Sequence, residues 1–76
     1  MDEKVKEIIA TALNIDVKLV TDDLAIGDVP EWDSVGNLLI VSNLEENLGI
    51  EFPIEDLYEL TSVEAFVQKV KDLTAR

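Results

Sequence analysis

Three stretches of the chain repeat apolar residues every three to four positions, the spacing of one helical face. In the first, about Asp2 to Leu13, that face is Val5, Ile8, Ile9, Ala12 and Leu13, and Asp2 and Glu3 put negative charge at the helix's positive end. The second should begin just after Asp33, whose carboxylate can cap first-turn amides. It runs from Val35 to Leu48 and stops at Gly49, a residue suited to a left-handed C′ position. Val41, Leu44 and Leu48 form its expected core stripe, widened by Leu38 and Ile40. A further line, Val35, Leu39, Ser42 and Glu46, has helical spacing but mixes apolar with polar residues, so it cannot all be buried. That line is the expected partner-facing surface. In the third stretch, Val63, Phe66, Val67, Val70 and Leu73 supply the buried face. Thr61-Ser62-Val63-Glu64 reads as a capping box, with Thr61 at the N-cap and Glu64 at N3.

The segments between are unequal. From Asn14 to Trp32 runs a long connection in which Ile15, Val17, Leu19, Val20, Leu24 and Ile26 are too apolar to dangle, so it is expected to lie across the bundle. Gly27 and Pro30 break any helix there. After Pro53, Ile54 to Leu60 has room for a short helix, and no stretch alternates long enough for a strand. The expected fold is all-α: three main helices plus one short helix, with a long first loop, as one domain over 1–76. Val5, Ile8, Ile9, Leu13, Val41, Leu44, Leu48, Phe66, Val67 and Val70 are expected in the core, with Ser34 exposed.

Charge narrows the partners. Seventeen acidic residues stand against six basic ones, for a formal charge of −11. Every Lys and Arg lies near an end, and Leu19 to Gln68 holds none. This distribution repels nucleic acid and anionic membranes. It serves solubility alone, or a docking surface for a basic protein patch. With no cysteine, leader pattern or long apolar run, a cytoplasmic protein without membrane insertion is expected, and a monomer.

Most catalytic constellations are excluded. Without His or Cys there is no Ser–His–Asp or Cys–His arrangement. The three glycines are scattered, so no phosphate loop forms. After Asp22 and Asp23, Leu24, Ala25 and Ile26 stand where a calcium loop needs oxygen ligands. Glu45 and Glu46 are neighbours on a helix, about 100° apart, and cannot share a substrate. No enzyme and no metal site is expected. Ser34 remains: an ordinary first-turn serine, or an anchor whose phosphate ester would sit at a helix N-terminus, where amides and dipole favour negative charge.

Trp32-Asp33-Ser34-Val35, with the apolar helix after it and Leu44-Glu45-Glu46-Asn47-Leu48-Gly49-Ile50-Glu51-Phe52-Pro53 beyond, resembles the acyl carrier proteins, and the likeness continues through Leu60-Thr61-Ser62-Val63. The resemblance implies that Ser34 carries 4'-phosphopantetheine, donated from coenzyme A by a phosphopantetheinyl transferase, and that Asp33 orients the site. It implies that Val35, Leu39, Glu45 and Glu46, extended by Glu55 and Asp56, meet basic docking patches on acyl-loading and acyl-transfer enzymes. Gly36 and Leu39 stand where fatty-acid carriers often have acids, and Ser42 where they often have methionine. Trp32 is closer to stand-alone carriers of polysaccharide, envelope or secondary-metabolite pathways. The rival reading is an acidic helical adaptor that binds one basic partner and is never modified.

Overall fold

The computed structural model describes residues 2–74, with helices α1 (Asp2–Leu13), α2 (Ser34–Leu48) and α3 (Val63–Thr74). Two 3-10 helices lie between them, at Val17–Leu19 and Ile54–Glu59. The expected short helix is thus present but tighter than an α-helix. Asp56 N–H bonds to Pro53 O and Leu60 N–H to Leu57 O, i to i+3 bonds that suit so short a piece. Among the described residues, no helix is long and apolar enough to cross a membrane.

Helix ends follow the local chemistry. Asp33 caps α2, its Oδ1 accepting from Gly36 N–H at 2.8 Å. Gly49 closes the helix with φ 65° and ψ 35°, and its N–H and that of Ile50 both donate to Glu45 O. The start of α3 differs from the expected capping box. The cap is Ser62, whose Oγ accepts from Ala65 N–H, and the helix opens at Val63. The cause is distant in sequence: Ile26 N–H donates to Thr61 O and Val63 N–H to Leu24 O, around an antiparallel bridge between Ala25 and Ser62. Thr61 is thereby held outside the helix, and Glu64 falls one place short of N3.

The core lies between the three α-helices. Val5, Ile8, Ile9 and Leu13 enter it from α1, Ile40, Val41 and Leu44 from α2, and Val63, Phe66, Val67 and Val70 from α3. Leu48, at the end of its helix, is only half-buried. Leu38 is not core but 62% exposed. At about 100° per residue it falls about 60° from exposed Val35 and about 120° from Leu44. The long loop is pinned across the bundle as expected, through buried Val20 and half-buried Ile15, Leu24 and Ile26. Val17 and Leu19 instead face outward, on a 3-10 turn capped by Asp16 that buries none of its residues. Trp32, wholly buried, is the largest core residue. Its ring lies 6.4 Å from that of Phe66, and Phe52 meets Phe66 edge-on at 6.1 Å.

Candidate functional site

Ser34 is the first residue of α2 and is exposed. The chain is brought to it by a tight loop. Ala25 N–H donates to Asp28 Oδ2, Gly27 N–H to Trp32 O and Trp32 N–H to Val29 O. Gly27 has φ 89°, a left-handed conformation that glycine adopts without strain. Asp33 then takes up Gly36 N–H, while among the described residues the N–H groups of Ser34 and Val35 have no hydrogen-bond acceptor. A hydroxyl at this place, with unpaired amides and the positive helix end beside it, suits a phosphate ester.

Gly36 explains how closely the loop crosses the helix. A Cβ there would lie 2.4 Å from the main-chain oxygen of Glu31 and 3.0 Å from Leu13. The position is filled by backbone, so an acid has no room. Below it, the Trp32 indole N–H donates to Asn37 Oδ1 at 2.9 Å, and Asn37 Nδ2 donates to Leu60 O at 3.0 Å. Sequence reasoning missed both partners. The signal was a polar side chain on the core arc of α2, which needs buried partners.

The outward arc of α2 is apolar near Ser34. Val35, Leu38 and Leu39 are 66%, 62% and 47% exposed, and Ser42 and Glu46 continue the line toward the far end. The acidic pair is split. Glu46 is exposed and makes no ion pair among the described residues, whereas Glu45 Oε2 accepts from Phe52 N–H at 2.8 Å and is half-buried. Glu55 is exposed, as are Ile54 and Tyr58. Asp56 pairs with Lys69 at 2.5 Å, which holds the Lys69 ammonium above its usual range. Of the six expected surface residues, Val35, Leu39, Glu46 and Glu55 are therefore open, while Glu45 and Asp56 are engaged within the chain.

Comparison with known proteins fits this site. The family described as "Phosphopantetheine attachment site" matches residues 3–70, which include Ser34 and its flanks. An "Acyl carrier protein" of Rubrobacter xylanophilus is 34% identical over 68 residues, covering 90% of this chain and 84% of its own length. One of Thermosynechococcus vestitus is 29% identical over 73 residues, covering 96% and 90%.

Proposed function

Because the chain belongs to the acyl carrier protein family, whose members bear covalent 4'-phosphopantetheine, we propose that Ser34 is the attachment residue and 1–76 one carrier domain. The observation that carries this is the exposed hydroxyl of Ser34 on the first turn of α2, beside the Asp33 cap. Ser34 Oγ forms the new phosphodiester bond as the pyrophosphate bond of coenzyme A breaks, releasing adenosine 3',5'-bisphosphate and giving up the hydroxyl proton to a base of the phosphopantetheinyl transferase that catalyses the step. When bound, the group supplies a thiol that holds acyl cargo as a thioester at high effective concentration near partner enzymes. The chain itself performs no catalysis. It positions the arm and is recognised.

Recognition is assigned to the outward arc of α2. Val35, Leu38 and Leu39 offer an apolar contact next to Ser34, and Glu46 and Glu55 steer basic patches on acyl-handling enzymes. Glu45 and Asp56 contribute negative potential rather than direct pairing, since their own partners are within the chain. The sparse acids on this arc support service in a polysaccharide, envelope, lipid or secondary-metabolite pathway rather than with a fatty-acid synthase. Repulsion between copies of charge −11 supports a monomer, working in the cytoplasm.

Intact mass after incubation with coenzyme A and a broad-specificity transferase tests the attachment. One phosphopantetheine is gained by the parent chain and none by Ser34→Ala. No gain in the parent, or a gain that survives Ser34→Ala, overturns the assignment. An unmodified adaptor has no account of a match to an attachment-site family.

A further inference from the structure

We propose that Asn37 is a positioning residue, locking the end of the 3-10 helix Ile54–Glu59 to the shoulder on which Ser34 stands. The functional half of this rests on the carrier reading above, and the mechanical half on hydrogen bonds alone. An indole N–H can only donate and a main-chain carbonyl can only accept. A side chain joining them has to offer an acceptor to one and a donor to the other. The Asn37 amide does so, with Oδ1 toward Trp32 Nε1 and Nδ2 toward Leu60 O. Its orientation is fixed by these partners, because the flipped amide would set donor against donor and acceptor against acceptor.

Both ends of the bridge are anchored. Trp32 is wholly buried, so its N–H has no water to turn to if Asn37 is lost. Its carbonyl accepts from Gly27, and the next residue is the Asp33 cap that precedes Ser34. A displaced indole therefore displaces the cap. On the other side, Leu60 is buried, and its N–H is bonded to Leu57 O at the end of the 3-10 helix. One amide thus ties segments 23 positions apart at Asn37 and Leu60 and carries that tie to within two residues of Ser34.

Three variants test the bridge. Asn37→Asp keeps an acceptor for Trp32 but sets a carboxylate against Leu60 O, Asn37→Leu removes both bonds, and Asn37→His, as neutral imidazole, restores one donor and one acceptor. Amide hydrogen exchange reads the lock without any transferase. Asn37→Asp is expected to speed exchange in both 31–36 and 57–61 while α1 and α3 stay protected. Faster exchange on one side only, or everywhere at once, overturns the coupling. Phosphopantetheinylation reads the positioning. With the outward arc unaltered, KM for the carrier is expected to hold, and kcat to fall on the order of tenfold in Asn37→Asp and Asn37→Leu and to recover in Asn37→His. A lowered melting temperature with parental kcat below the transition would make Asn37 structural only. Loading of the parent chain, measured alongside, separates failure of this proposal from failure of the carrier reading. The sole tryptophan, Trp32, adds a fluorescence check that the indole environment changes in Asn37→Leu and returns in Asn37→His.

Discussion

The Glu45 carboxylate accepts the backbone N–H of Phe52 across the turn that follows α2, at 2.8 Å. Phe52 is buried against Phe66, so this bond seats the turn on the core. Its neighbour Glu46, one residue on, has no such partner among the described residues and is open to solvent.

The two acids are accordingly expected to separate in experiment. Glu45→Lys removes the acceptor of a part-buried N–H and costs about 1–3 kcal/mol. Glu46→Lys changes an exposed helix residue and costs well under about 1 kcal/mol, yet slows phosphopantetheinylation most at low salt, where steering is strongest. Urea melts beside transferase rates check both. Equal stabilities would mean the Phe52 bond contributes nothing.

Gly36→Ala sets two effects against each other. Alanine favours a helix over glycine by roughly 1 kcal/mol, but its methyl would meet a main-chain oxygen at 2.4 Å. Backbone cannot swing aside as a flexible side chain can, so the clash wins. A net loss of about 1–3 kcal/mol is expected. A more stable variant in denaturant melts would show that the Glu31 carbonyl moves freely.

Leu44 and Leu39 lie on the same helix but in different media. Leu44 is wholly buried, and Leu44→Ala is expected to cost about 2–5 kcal/mol. Leu39→Glu and Leu38→Glu leave the new charge in water, so their melts are expected to stay near the parent's. Their effect belongs in partner preference, read as transferase kcat/KM. If Leu38→Glu collapses the bundle, Leu38 belongs to the core after all.

Acid repulsion is expected to limit stability. The segment from Leu19 to Gln68 holds twelve Asp and Glu and no Lys or Arg. Of the three ion pairs formed among the described residues, Lys6–Asp22 and Lys69–Asp56 reach into it from α1 and α3. Raising the ionic strength from low to physiological should therefore raise the melting temperature by screening. Screening depends on ionic strength rather than on the identity of the cation, so magnesium and potassium salts at matched ionic strength are expected to act alike. A flat melting temperature across salt would refute the repulsion.

Alkaline pH isolates one of those pairs. The Asp56 carboxylate raises the Lys69 pKa above its unfolded value. The pair's contribution is therefore fully present below the unfolded lysine pKa and is lost as pH rises through the folded one, above about pH 10. Over that range the parent is expected to lose melting temperature faster than Asp56→Asn. Parallel curves would mean the pair adds nothing measurable at this half-buried site.

What the sequence determined alone was whatever depends on neighbours within a turn or two. Apolar spacing predicts α1, α2 and α3, and Asp33 and Gly49 bound α2 because caps act on amides and carbonyls a few residues away. The exposure of Ser34 follows from the same local logic. Tertiary structure decided everything that depends on a distant segment. Thr61 has a capping-box sequence, yet the backbone bonds from Ile26 and Val63 around the Ala25–Ser62 bridge hand the cap to Ser62. Leu38 is apolar on an apolar helix, yet the segments that pack against α2 cover Ile40, Val41 and Leu44 and leave it outside. Glu45 and Glu46 are chemically identical, and only the approach of Phe52 N–H separates them. Local chemistry sets where α2 begins and ends, but the start of α3 and the choice of which faces meet depend on contacts between segments that close only in the folded chain.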